Sequence, residues 1–192
     1  MEQPQNHPEG HTIPDWDSML REATEDPQGV YRLIDTYRST TSAVAAGCLI
    51  GVLTHCRRNG PLAPDQATVE LVKLAESCDV WRIDGAANSL LAALYAAFYE
   101  NGVPEQADWE VIANLLHRAA VIESSSFERI DLVMSDLLDV CAALASRNQL
   151  VRVLKQKHGL AEIIHRRLRP LISADEKEYG FISRQLEEVP GE

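Results

Sequence analysis

Two stretches near the middle of the chain, PDQATVELV (residues 64–72) and PEQADWEVI (residues 104–112), share proline, acid, glutamine, alanine, glutamate and apolar residues in the same order. They lie 40 residues apart. A second motif, RID followed by LL and N, occurs at residues 82–101 and again at 129–148, 47 residues later and with identical spacing. Segments that recur at such periods are typical of repeated helical hairpins, which bury their apolar faces against neighbouring copies.

The residues around these motifs have the period of α-helices. Within residues 104–122, apolar side chains recur at steps of three and four, which predicts a helix facing the core. Residues 79–100 repeat this pattern with many alanines, which allow neighbouring helices to approach closely. Residues 39–58 look like a diverged third copy. No stretch indicates a strand, so the sequence predicts an all-α fold.

Prolines and capping boxes predict where several helices begin. These signals are Pro64, Pro104, Ser125 with Glu128, and Ser173 with Glu176. Asparagine at residues 59, 101 and 148 is predicted to lie at the ends of helices. Where glycine follows asparagine, the pair favours a left-handed turn after the helix.

The repeat length and the organisation of residues 148–187 resemble the armadillo and HEAT families. Residues 148–187 are similar to one armadillo unit, with a short helix, a turn and two further helices. The resemblance covers residues 39–187 and implies a short right-handed α-solenoid of about four helical-hairpin repeats. In armadillo proteins a peptide-binding asparagine lies within the third helix. Here the asparagines are predicted at helix ends, which argues against transferring that mode of peptide binding.

The chain is predicted to hold one folded domain after a short tail. Residues 1–14 are rich in Pro, Gln, Asn and His and contain one Ile, so we expect a mobile tail there. Residues 15–192 then form a single all-helical repeat domain. The N-terminus lacks the pattern of a secretory signal, and the longest apolar run, residues 43–53, is shorter than the roughly 20 residues of a spanning helix. These features predict a cytoplasmic protein that does not bind membranes.

The charge of the chain is strongly acidic overall but uneven along its length. Its 18 Lys and Arg and 29 Asp and Glu give a formal net charge of −11, which disfavours nucleic acid as a partner. Residues 147–169 are the exception, with seven basic residues and one acidic residue. This segment is either a solvated helix face or a site for an anion or an acidic partner. Its candidate contact residues are Arg152, Lys155, Arg166 and Arg169.

The acidic remainder of the chain favours a basic partner protein. Candidate contact residues for such a partner are Asp84, Asp131 and Asp136. Asp136 and Asp139 are one helical turn apart, so they would suit paired-carboxylate chemistry if they were buried together. The alternative is that these residues solvate an outer helix face.

Aromatic residues concentrate in the two middle repeats. They are Trp81, Tyr95, Phe98, Tyr99, Trp109 and Phe127. Packing between repeats is one interpretation, and an exposed contact site for a partner is the other.

The sequence contains no recognisable catalytic or metal-binding motif. Its four cysteines lack C-x-x-C spacing, and the histidines lack a metal-ligand pattern. His7 and His11 have a favourable spacing but fall in the predicted tail. We therefore expect no metal, no cofactor and no enzymatic activity.

The sequence predicts a noncatalytic module for protein-protein interaction, acting as an adaptor, regulator or inhibitor through a charged helical surface. One specific alternative is an immunity-type inhibitor that neutralises a basic toxin. The alternative from a different class is an enzyme with a nonstandard polar site on a helical scaffold. The oligomeric state stays open.

Overall fold

The computed structural model describes residues 15–25, 27–37, 43–77, 81, 85–123 and 129–189. The helices in these segments are α1 (Trp16–Glu25), α2 (Pro27–Tyr37), α3 (Ala43–Asn59), α4 (Pro64–Ser77), α5 (Ala86–Asn101), α6 (Trp109–Ala120), α7 (Ile130–Ser146), α8 (Leu150–Leu154), α9 (Leu160–Ala174) and α10 (Glu176–Glu187). No strand occurs in the described segments, and the prediction of an all-α fold is confirmed. The predicted tail and the Ser125 with Glu128 box lie outside the described residues.

The helices pack in two rows. Along one row, α3 contacts α5, α5 contacts α7, and α7 contacts α10. Along the other row, α4 contacts α6 and α6 contacts α9. Neighbours in the chain connect the rows, because α4 packs on α5, α6 on α7, and α9 on α10. One continuous cluster of buried apolar side chains runs through these contacts and extends to α1 and α2.

The motif with the 47-residue period places buried leucines on both α5 and α7, which pack against each other. Leu90 and Leu91 of α5 and their counterparts Leu137 and Leu138 of α7 are all buried. Most of the alanines of α5 are buried as well. Small side chains let two helices approach closely, and leucines fill the remaining space. The repeated spacing of the motif therefore reflects the side of each helix that faces the core.

Arginines join successive helices in the row of α4, α6 and α9. Arg118 of α6 donates from Nη1 to the carbonyl oxygen of Glu76, in the last turn of α4, at 3.3 Å. Arg167 of α9 donates from Nη2 to the carbonyl oxygen of Ile122, just beyond α6, at 2.5 Å. The last carbonyl groups of a helix lack partners within the helix and carry partial negative charge, so a guanidinium group stabilises them. We use the word clamp for a hydrogen bond from a side chain to a backbone carbonyl at, or just beyond, the end of the preceding helix in the row.

Two further clamps join helices in the other row. Arg147, just after α7, donates from Nη2 to the carbonyl oxygens of Tyr99 and Glu100 in the last turn of α5, at 2.6 and 2.7 Å. Gln185 of α10 donates to the carbonyl oxygen of Ala145, in the last turn of α7, at 3.2 Å. The residues of the four clamps are separated by 40 to 48 positions in the chain. These separations match the periods of the sequence motifs.

Gly102 leaves room for the Arg147 clamp. Its backbone is left-handed, with φ of 75°, and its N–H donates to the carbonyl oxygen of Phe98 at the end of α5. A Cβ atom at this position would lie 3.1 Å from Cδ of Arg147 and 3.2 Å from Oε1 of Gln149. Both the backbone conformation and the neighbouring side chains therefore favour glycine.

The three asparagines predicted at helix ends behave differently. α3 ends at Asn59 and α5 ends at Asn101, as predicted. Asn148 lies two residues after α7 and is itself left-handed, with φ of 57°. The predicted left-handed glycine is confirmed at Gly102, but Gly60 has no left-handed backbone, so the prediction is wrong there.

The start of α6 differs from the sequence prediction. The two aligned motifs predict that a helix begins at Pro64 and another at Pro104. α4 does begin at Pro64, but Pro104 lies before a turn, and α6 begins at Trp109. The physical reason is Asp108, whose side chain accepts hydrogen bonds from two N–H groups of the first turn and so caps the helix at this point.

The boundary between α9 and α10 also differs. The predicted cap at Ser173 is wrong, because α9 extends to Ala174 and includes Pro170. The residue that caps α10 is Asp175, whose carboxylate accepts a hydrogen bond from the N–H of Glu178 at 3.2 Å. An aspartate two residues further along thus takes the role assigned to the serine.

The Arg147 clamp is expected to contribute measurably to stability. Arg147→Met keeps an extended apolar side chain but removes the donors to the end of α5, and we expect the free energy of unfolding to fall by about 1 kcal/mol. Arg166→Met, at an exposed position of α9, is the matched control. Urea denaturation followed by circular dichroism measures both variants. Equal stability of the two variants would show that the clamp contributes nothing.

Candidate functional site

The two acidic candidates that the structure describes differ in their exposure. Asp84 lies outside the described residues. Asp131 is exposed in the first turn of α7, whereas Asp136 is half-buried in the middle of this helix. Five residues separate Asp131 and Asp136, which corresponds to an angle of about 140° around the helix axis. Asp131 is therefore fully open to solvent, whereas Asp136 is only partly so.

Asp136 and Asp139 form a pair of half-buried carboxylates. Burial and the negative charge of Asp139 raise the pKa of Asp136 to about 6. The pKa of Asp139 is raised as well, by burial and by the charge of Glu178. A raised pKa means that the folded protein disfavours the charged form of these groups. Perturbed carboxylates of this kind are common at functional sites.

Helix α10 packs on α7 and brings Glu178 and Tyr179 near Asp139. Burial raises the pKa of the Tyr179 hydroxyl, and the charges of Asp139, Glu178 and Asp175 raise it further. Tyr95 of α5 also acts on Tyr179, so the neighbourhood spans three helices of the same row. The sequence indicated the two aspartates on α7, but it gave no indication that residues of α10 lie near Asp139.

Two tyrosines of α5 continue the site. The rings of Tyr95 and Tyr99 are 5.7 Å apart between centroids and are tilted by 40°. Tyr99 is 60% exposed, one of the most exposed large apolar side chains among the described residues. We define the acidic-aromatic surface as Tyr95, Tyr99, Asp136, Asp139, Glu178 and Tyr179. This surface brings together two of the predicted aromatic residues and one of the predicted acidic residues.

Among the residues that the structure describes, no basic side chain forms an ion pair with the acidic residues of this surface. Within the described parts of the chain, the ion pairs involve Glu22, Glu70 and Glu100, and none involves Asp136, Asp139 or Glu178. Glu100, at the end of α5, binds the buried Arg57 and is 3.6 Å from Arg58. The two arginines lower the pKa of the Glu100 carboxyl, mainly through the hydrogen bond from Arg57. The acids at the centre of the row have no such partner in the described residues.

The four basic candidates lie on α8, in the turn after it and on α9. Arg152 of α8 lies over the ring of Trp109, with its guanidinium carbon 4.0 Å from the ring centroid. This cation-π contact fixes the side chain against α6. Lys155 is exposed in the turn after α8, while Arg166 and Arg169 are exposed on α9. The short helix α8 packs on α6, α7 and α10.

The other basic residues of segment 147–169 have structural roles. Arg147 and Arg167 are clamps. The ammonium group of Lys157 donates to Oδ1 of Asn114 on α6 at 2.9 Å. Much of the positive charge therefore binds other parts of the same chain. The repeat spacing was the only sequence signal that could have indicated these contacts.

The described cysteines and histidines form no metal site. No group of three or more His, Cys, Asp and Glu residues that could hold a metal ion occurs in the described segments. Cys56 and Cys141 are buried, and complete burial raises the pKa of the Cys141 thiol to about 12. Cys78, His7 and His11 lie outside the described residues.

Comparisons with known proteins found no relative of this chain. No family model, curated protein or solved structure matches the chain. In the segments that the structure describes, none of the helices has the length and apolar character needed to cross a membrane. A functional proposal therefore depends on the contacts of the chain itself.

The raised pKa of the half-buried Asp136 predicts that the stability of the protein depends on pH. Its pKa in the folded state, about 6, lies above the ordinary value of 3.8, so the folded protein holds the proton more tightly than the unfolded chain does. The contribution of Asp136 to stability should therefore fall as the pH rises from about 4 to 6 and stay low above this range. We expect Asp136→Asn to raise Tm at pH 8 and to change it much less at pH 4.

Asp131→Asn is the matched control for this pH experiment, because Asp131 is exposed on the same helix. Thermal unfolding of the wild type and both variants at the two pH values gives the comparison. A decrease in Tm at pH 8 on Asp136→Asn would contradict the assignment of an unfavourable charge.

Proposed function

We propose that this chain is a noncatalytic helical-repeat protein that binds a basic partner protein through the acidic-aromatic surface. The observation that carries the proposal is the pair of half-buried carboxylates, Asp136 and Asp139, which have raised pKa values and no cationic partner among the described residues. The net charge of −11 also favours the approach of a basic partner protein.

The proposed architecture is a short right-handed α-solenoid of about four helical hairpins. Two observations support it. Alternate helices contact each other in two rows, and the clamps repeat at nearly the period of the sequence motifs. Stacked hairpins would present a continuous surface formed by alternate helices, and proteins of this architecture bind partners on such surfaces.

The chemistry of the surface suits a lysine or arginine side chain. A cation placed between Asp136 and Asp139 would relieve the repulsion between the carboxylates and lower their pKa values. The ring of Tyr99 is exposed next to Tyr95 and is available for apolar contact with another part of the partner. An aromatic anchor beside desolvated charges is a common arrangement at the centres of protein interfaces.

An inhibitor is one form of this function. A protein that covers a basic active site, such as an immunity-type inhibitor of a basic toxin, needs an acidic surface with an aromatic anchor. An adaptor for a basic segment of another protein needs the same features. Electrostatic attraction would accelerate either association, and salt would weaken it.

A second candidate function is favoured by one observation. A carboxyl group with a pKa of about 6, such as that of Asp136 beside Asp139, is suited to general acid-base catalysis near neutral pH. An enzyme with a nonstandard polar site is therefore the alternative. It would gain support if small cationic or neutral ligands raised the Tm of the wild type but not that of the Asp136→Asn/Asp139→Asn variant.

Affinity capture followed by reconstitution tests the binding function. The immobilised wild type should retain a basic protein from lysate at low salt and release it at high salt. With this partner purified, Asp136→Asn/Asp139→Asn should weaken the Kd by about tenfold or more, because neutral amides cannot replace the two charges. Tyr99→Ala should weaken binding independently of salt.

Asp131→Asn is again the control and should bind like the wild type. Isothermal titration calorimetry measures the Kd values, and circular dichroism checks that each variant is folded. Unchanged affinity of the double variant would remove the acidic-aromatic surface from the proposal. Loss of binding in Arg152→Glu/Arg166→Glu, with the double variant unaffected, would instead place the contact on the basic candidates.

A further inference from the structure

A groove between α4 and α6 carries the opposite charge to the acidic-aromatic surface. Its volume is about 240 Å³, and its lining includes Glu76, Asn114, His117, Arg118 and Lys157. Three of these five side chains are basic types, in a chain whose net charge is −11. The groove belongs to the row of α4, α6 and α9, whereas the acidic-aromatic surface belongs to the other row.

The basic groups at the groove come from two separate parts of the chain. His117 and Arg118 are adjacent in the last turn of α6. Lys157 comes from the turn between α8 and α9, and its hydrogen bond of 2.9 Å to Asn114 holds it against α6. A lysine ammonium group has three N–H donors, and Asn114 uses one of them. Arg118 uses one of its five N–H donors for the carbonyl oxygen of Glu76.

The groove also affects the titration of His117. Burial lowers the pKa of this imidazole, and the positive charge of Lys157 lowers it further. The other charged groups that line the groove are Glu76 and Arg118. An anion bound beside the imidazole would oppose both effects on the pKa and would accept hydrogen bonds from the same side chains.

We propose that this groove binds a small molecule through an oxyanion, a phosphate or a carboxylate group, with His117, Arg118 and Lys157 as the ligand-binding residues. An oxyanion accepts several hydrogen bonds at once, and a guanidinium beside an ammonium group provides the donors. Apolar lining residues such as Leu115 would contact the organic part of the molecule. This site is independent of the proposed protein partner.

Titration of the whole protein with inorganic phosphate, and separately with acetate, tests the site. Sodium chloride keeps the ionic strength constant, and NMR follows the imidazole resonances of His117. We expect a saturable shift with at least one of the two probes, together with a rise in the pKa of His117. The probe that binds more tightly identifies the class of oxyanion.

Lys157→Gln and Lys155→Gln form a matched pair for this experiment. Lys155 is exposed two residues away and does not line the groove. Lys157→Gln should weaken binding of the probe about tenfold, whereas Lys155→Gln should leave it unchanged. If Lys157→Gln does not fold, Arg118→Gln replaces it, because it should also weaken binding and keeps the His117 imidazole that NMR follows. The absence of a saturable shift with both probes, or equal affinities in the two lysine variants, would overturn the proposal.

Discussion

The interaction on which the two rows depend is the hydrogen bond from a side chain of one helix to the last carbonyl groups of the preceding helix in the same row. Arg118 makes this contact to α4, and Arg147 makes it to α5. Apolar packing alone would allow neighbouring helices to slide or rotate by a fraction of a turn, because it is not directional. A hydrogen bond to the end of a helix has a defined length and direction. The clamps therefore define the register of each helix against the next.

The clamps also explain where much of the positive charge of the chain is placed. A basic segment in an acidic protein predicts a binding face, but Arg147 and Arg167 bind backbone carbonyls, and Arg152 lies over Trp109. The contacts of Arg147 and Arg167 place cations at or just beyond helix C-termini, where the partial charge is negative. Much of the positive charge thus stabilises contacts between helices. Little of it remains to neutralise the acidic residues that lie between these contacts.

Several features of the fold were predictable from the sequence because apolar spacing identifies the buried side of a helix. Leu90 and Leu137 are buried at equivalent positions for this reason. The start of α6 was not predictable from the repeated motif, because local capping by Asp108 determines it. The burial of Asp136 depends on packing between distant helices, which the spacing of charges on one helix does not report.

Within the candidate site, the sequence indicated Asp139 and Tyr95 separately, but their association with Tyr179 required the row of α5, α7 and α10. The clamps of this row lie at the ends of its helices, at Arg147 and Gln185, so the middle of α7 holds acids without cations among the described residues. Unpaired charge of this kind lowers stability, and proteins commonly accept such a cost where a site needs it. A cationic partner side chain would remove the cost upon binding. The unpaired acids are unfavourable in the free protein, and a cationic side chain of the partner would neutralise them. This gain upon binding is the physical basis of the function that we propose.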